Sequence, residues 1–262
     1  REAAKLAIKA GIDMSMNDQL YGKELPGLLK SGEIEQSDID NAVREVLGAK
    51  YDMGLFADPY LRIGKAEDDP ADTYAESRLH RSEARDIARR SLVLLKNQND
   101  TLPLKKSATI ALVGPLAKAP IDMMGSWAAA GKPAQSVTLL DGMNAVIGEK
   151  GKLIYARGAN ITSDKAVVDY LNFLNFDAPE VVDDPRSAQA LIDEAVKAAK
   201  NADVVVAAVG ESRGMSHESS SRTDLNIPQS QRDLIKALKA TGKPLVLVLM
   251  NGRPLSILEE HQ

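Results

Sequence analysis

The stretch Val204-Val205-Val206-Ala207-Ala208-Val209-Gly210 decides the fold class. Six apolar residues in a row, ended by glycine, carry no polar alternation, so both faces of this strand must be covered. Leu245-Val246-Leu247-Val248-Leu249 repeats the pattern and ends at Asn251-Gly252, and Thr109 to Val113 ends at Gly114. Leu153 to Tyr155 is a weaker version, closed by Gly158. Helical periodicity lies between them, over 187–200, where Ala190, Leu191, Ala195, Val196 and Ala199 share a face, and over 229–240. Apolar strands alternating with amphipathic helices predict an α/β fold with a mostly parallel sheet. No internal repeat extends beyond strand, glycine and polar residues.

The pattern changes toward the N-terminus. Residues 1–10 read as the end of an amphipathic helix stopped by Gly11, and Ile12 to Met16 alternates like a short strand. A helix over 20–30 contains Pro26; a further helix runs to about Tyr51 with Ile39, Val43, Val46 and Leu47 at helical spacing, and Ser37 with Asp40 is the expected N-terminal cap. A single strand without partners is half an architecture. Residues 55–74, with Asp58-Pro59, Gly64 and Glu67-Asp68-Asp69-Pro70, read as a linker. A helix from about Ala75 to Arg90 and an apolar extended segment, 91–96, follow. Met14, Met16, Met53, Met123 and Met124 are expected as core filler.

Composition narrows the function. With 262 residues, one or two domains are expected at about 150 residues each. Thirty-three basic against 37 acidic residues give a net charge of −4, with no global attraction to nucleic acid or anionic membrane. There is no cysteine, and His80, His217 and His261 lie far apart, which disfavours a histidine-rich metal site. No apolar run approaches the roughly 20 residues of a spanning helix. The first residue is not Met, no signal-peptide core is visible, and the chain is expected to be an internal piece of a larger parent.

Chemistry is expected beyond the C-terminal ends of the strands, in the loops after Val113, Val209 and Met250. Gly114-Pro115-Leu116-Ala117 is no dinucleotide fingerprint, and no Gly-Lys-Ser/Thr phosphate loop occurs. The segment 210–228 is far longer than the roughly 2–6 residues usual for such connections, and almost wholly polar. It holds Glu211, Arg213, His217, Glu218, Arg222 and Asp224. A partly desolvated carboxylic acid here has the chemistry to protonate a leaving oxygen. Arg222 and Asp224 are expected to form a loop-fixing ion pair. Trp127, the one tryptophan, lies in an Ala/Gly/Pro-rich stretch; it reads either as an exposed ring that stacks on a sugar or as a loop anchor.

Several stretches, in this order, resemble family 3 glycoside hydrolases, and within them the bacterial periplasmic β-glucosidase branch. They are Ala10-Gly-Ile-Asp-Met-Ser-Met16, Tyr51-Asp-Met-Gly-Leu-Phe56, Arg90-Ser-Leu-Val-Leu-Leu-Lys-Asn97, Ala108-Thr-Ile-Ala-Leu-Val-Gly-Pro115, Gly125-Ser-Trp127, Val209-Gly-Glu211, Ile227-Pro-Gln-Ser-Gln231 and the run from Lys243 to Pro254. The resemblance implies the C-terminal end of a β/α barrel in 1–54, a linker in 55–74 and an α/β sandwich, truncated at its end, in 75–262. It implies retaining hydrolysis of terminal β-D-glucosyl residues by two carboxyl groups. The nucleophile, an Asp in a Ser-Asp-x-Gly type motif, is absent from this chain, and Asp13 is not that residue. Glu218 falls where the family's acid/base falls, although Ser219-Ser220-Ser221-Arg222 departs from the Thr-Lys-Gly-Asp that follows the Glu in plant relatives. Trp127 matches a Gly-Gly-Trp position near the sugar pocket, and Glu211, His217 and Arg222 are further pocket candidates. The implied partners are a β-glucoside or short β-linked gluco-oligosaccharide and the rest of the parent barrel, with no cofactor, metal, nucleic acid or membrane, and the implied location is the periplasm. A β-xylosidase or other β-glycosidase of the family, and a non-catalytic carbohydrate-binding or scaffold domain, are the alternatives.

Overall fold

The computed structural model describes residues 1–61, 63, 74–128, 131–173 and 181–261. Most of the expected linker, 55–74, lies outside them. The chain divides into two compact units, 1–93 and 94–262.

The first unit contains α1 (Glu2–Lys9), α2 (Leu20–Lys30), α3 (Gln36–Asp52) and α4 (Tyr74–Ser91). Ala4, Ile8, Leu28, Ile34 and Ala42 form its buried cluster. Pro26 is accommodated inside α2. The cap of α3 lies two residues before the expected one: Glu35 is the N-cap, and its amide donates to Asp38 Oδ2 at 2.8 Å. Ile12 to Met16 is not a strand, and its side chains at 12, 14 and 16 are exposed. Its backbone groups meet no neighbouring strand among the described residues, and without a ladder an alternating pattern forms no sheet. Exposure of Met14, Met16, Met53 and Met123 also overturns their expected role as core filler.

The second unit is a four-stranded sheet in the order β2-β1-β3-β4, formed by β1 (Thr109–Val113), β2 (Lys152–Ala156), β3 (Val204–Gly210) and β4 (Leu245–Met250). Every pairing is parallel, with Ile110 beside Leu153 and Val204, and Val205 beside Leu245. Helices α5 (Leu139–Ile147), α6 (Lys165–Phe173), α7 (Ala188–Lys200) and α8 (Gln229–Lys239) connect them, and a short α9 (Leu258–His261) follows. The continuous apolar strands sort by parity. Ala111, Val113, Val205, Ala207 and Val209 pack under Ala195, Ala199, Leu234 and Leu238. Ile110, Leu112, Val204, Val206 and Ala208 face Ile147, Leu171 and Met215. All of β3 is buried, as its composition requires. Among the described residues no helix is long and apolar enough to cross a membrane.

Gly210 shows why glycine ends β3. Its φ is 136°, and a Cβ there would lie 2.0 Å from the carbonyl oxygen of Met250 on the adjacent strand. No other residue fits where the chain leaves the sheet so close to its neighbour.

Candidate functional site at the strand ends

The order β2-β1-β3-β4 sends the connections from β1 and β3 in opposite directions, and open parallel sheets bind ligands beyond the C-terminal strand ends at such a switch point. The segments there are tied together. Arg213 donates its amide to Asp122 Oδ1 at 2.8 Å, and Ser126 Oγ donates to the Arg213 carbonyl at 2.6 Å. Trp127, next to Ser126, is 76% exposed.

The loop after β3 is folded on itself. The Met215 amide donates to the Ser212 carbonyl at 3.1 Å, the Ser220 amide to the His217 carbonyl at 3.0 Å and Ser220 Oγ to the Gly214 carbonyl at 2.7 Å. His217 Nδ1 pairs with the carbonyl of Glu218. Glu218 and Ser219 are the exposed residues of this turn, and Ser219 takes a left-handed φ of 65°.

Glu211 and Arg222 come together beneath the loop. Glu211 is 3% exposed; its Oε1 accepts from Arg222 Nη1 at 2.6 Å and lies 3.2 Å from Arg253 Nε. Arg222 therefore pairs with Glu211 and not with Asp224, whose carboxylate instead accepts from the Asn226 amide at 2.9 Å and Nδ2 at 2.7 Å. Those bonds hold Asp224 below the ordinary carboxylate range. The remaining guanidinium donors reach loop carbonyls: Arg222 to Asn226 at 3.1 Å, Arg253 to Ser220 at 2.7 Å and to Met215. Glu211 Oε2 is buried without a hydrogen-bond partner among the described residues. A carboxylate this deep is tolerable because two cations neutralise it, and breaking such a pair costs about 3–5 kcal/mol.

Two further polar residues brace the strand end. Gln231 is fully buried on the apolar face of α8; it accepts from the Gly210 amide at 2.8 Å and donates to the carbonyls of Gly210 at 2.8 Å and Ile161 at 2.6 Å. Tyr170 on α6 donates its hydroxyl to the Ser219 carbonyl at 3.0 Å. Sequence reasoning missed Arg253, Tyr170, Asp122 and Gln231 as site residues. A polar residue at a core position of the 231, 234, 235, 238 stripe was the readable signal for Gln231. Among the described residues no three His, Cys, Asp or Glu side chains gather as metal ligands.

Residues 92–262 match the glycosyl hydrolase family 3 C-terminal domain. The chain belongs to glycosyl hydrolase family 3. It is 63% identical over 261 residues to a periplasmic beta-glucosidase of Salmonella typhimurium, covering 100% of this chain and 34% of that protein. A beta-xylosidase of Formosa agariphila is 34% identical across 98% of this chain and 33% of the relative. A beta-glucosidase from Listeria innocua, solved with glucose, superposes with a TM-score of 0.78 at 32% identity, over 99% of this chain and 31% of that one. The chain thus spans about a third of the length of these family 3 proteins.

Proposed function

We propose that the chain is part of a retaining β-glucosidase that removes terminal non-reducing β-D-glucosyl residues by double displacement. The observation that carries the reading is the 63% identity, along the whole chain, to a beta-glucosidase. The catalytic nucleophile, an Asp, lies outside this chain on the barrel, of which residues 1–54 supply the end. Residues 55–74 link it to the sandwich domain of 75–262. Glu218 is the acid/base. As an acid it protonates the glycosidic oxygen while the Asp attacks the anomeric carbon; as a carboxylate it then takes a proton from the water that hydrolyses the glycosyl-enzyme. The two carboxyl groups must come within about 5–5.5 Å. Its exposure on the tip of a hydrogen-bonded turn supports this role, since the acid has to reach a sugar held largely by other residues. Trp127 offers a face for the sugar or aglycone, His217 lies beside the leaving group, and Glu211 with Arg222 forms the pocket floor. The substrate is a β-glucoside or short β-linked gluco-oligosaccharide; a Listeria relative has been solved with laminaribiose. The Salmonella relative's name supports a periplasmic location.

The test is Glu218→Gln in the full-length enzyme. kcat/KM reports the first step, so it should fall about 10²–10⁴-fold for an alkyl β-glucoside and little for a dinitrophenyl β-glucoside, whose leaving group needs no proton. Azide should restore turnover of the activated substrate. Equal small losses would remove Glu218 from the acid role. The Formosa relative keeps a β-xylosidase reading in play, and parallel rates on glucoside and xyloside separate the two.

A further inference from the structure

Resting on the assignment of Glu218 as the acid, we infer that Arg253 is its principal positioning residue, with Tyr170 as a second clamp on the same turn. Among the described residues the exposed Glu218 side chain makes no hydrogen bond or ion pair that would fix it. Its placement is inherited from the backbone between Met215 and Ser220. Arg253 arrives from a different strand end, the loop after β4, and its Nη2 donates to both Met215 and Ser220 carbonyls, one on each side of Glu218. Its Nε lies 3.2 Å from Glu211 Oε1 as an ion pair without a hydrogen bond, so the buried charge holds the guanidinium near it while the guanidinium's Nη2 fixes the turn. Tyr170 holds the Ser219 carbonyl, immediately after Glu218.

The loop after β4 is itself pressed onto the turn. A Cβ on Gly252 would lie 1.9 Å from Ser216 Oγ and 2.9 Å from Ser216 Cβ. The glycine lets Arg253 enter beside the turn. A planar guanidinium spans two carbonyls and a carboxylate at once; an ammonium keeps the charge but not that fork. A proton donor displaced by about 1 Å loses much of its advantage, up to about 10²-fold. The buried Glu211 thereby acts on the chemistry through a chain of contacts: it holds Arg253, which holds the turn, which holds Glu218.

The experiment is Arg253→Lys in the full-length enzyme, which retains a cation for Glu211, alongside Tyr170→Phe, which deletes one hydroxyl from a partly exposed ring, and Glu218→Gln. Arg253→Lys should lower kcat/KM for an alkyl β-glucoside about tenfold or more and change that for the dinitrophenyl β-glucoside less than about threefold. Tyr170→Phe should shift the same ratio in the same direction by a smaller factor, about threefold. Equal losses on both substrates, or no loss on either, overturn the positioning role. If Glu218→Gln shows the leaving-group dependence and Arg253→Lys does not, the inference fails and the acid assignment stands. If Glu218→Gln shows none, the assignment falls and takes the positioning role with it.

Discussion

Glu211 and Glu33 are both glutamates paired with arginine, at 2.6 Å and 2.5 Å, yet they sit in opposite surroundings. The Glu33 side chain is 36% exposed and Arg1 45%, so water competes for every charge. The Glu211 side chain has no exposed surface and is shared by Arg222 and Arg253. Distance alone therefore ranks the two pairs wrongly. Burial decides which one organises its surroundings: exposed pairs contribute little, whereas a buried charge stripped of its partner is expensive.

The sharpest break of this comparison is Glu211→Ala in the full-length protein. Amide exchange at Met215 and Ser220 should quicken by about a hundredfold or more, corresponding to roughly 3 kcal/mol of lost local stability. Glu33→Ala should change exchange at Gly32, which donates to the Leu29 carbonyl, by less than about fivefold. Similar effects at the two sites would erase the distinction. Next in size is Gly252→Ala, where overpacking against Ser216 should cost about 1–3 kcal/mol, recovered in part by adding Ser216→Gly. Failure of the second change to compensate would mean that the two strand-end loops are not in contact there.

The smallest effect is a pH dependence confined to exposed pairs. Bonds from Arg1 and Ser31 hold the Glu33 carboxyl at about 2, and bonds from Arg186 hold Asp184 at about 2. Each folded value lies below the ordinary one, so the folded form binds its proton more weakly than the unfolded chain. The stabilisation is present above about pH 4 and is lost as pH falls toward 2. Protection of the Asp184 amide, which donates to Asn160 Oδ1, should decline over that window after correction for intrinsic exchange, and Arg186→Ala should flatten the decline. An unchanged slope would remove the pair as its cause.

The sheet was legible because β3 and β4 are apolar runs without polar alternation, β3 buried at every residue and β4 half-buried throughout. Ile12 to Met16 has an alternating apolar pattern but no described neighbour to pair with, so pattern without partners produced no strand. Helix α5 went unread because Gly142 and Asn144 weaken its propensity; its signal was the Thr138 cap, whose Oγ1 accepts from the Asp141 amide at 3.2 Å. Of the proposed site, the long polar loop and Glu218 were singled out from composition and resemblance. The partner of Arg222 was not, because Glu211 lies eleven residues back across a folded loop, and the approach of Arg253 was not, because it comes from another strand end and depends on the β3–β4 register. Local spacing favoured Asp224, which turned out to serve Asn226.

The central claim is that the turn after β3 delivers the proton. A crystal structure of the full-length enzyme, its nucleophile disabled and an intact β-glucoside bound, tests it most directly. The account predicts the Glu218 carboxyl within about 3 Å of the glycosidic oxygen, with Arg253 still bonded to the Met215 and Ser220 carbonyls. A different carboxyl at that oxygen, with Glu218 pointing to solvent, would contradict it.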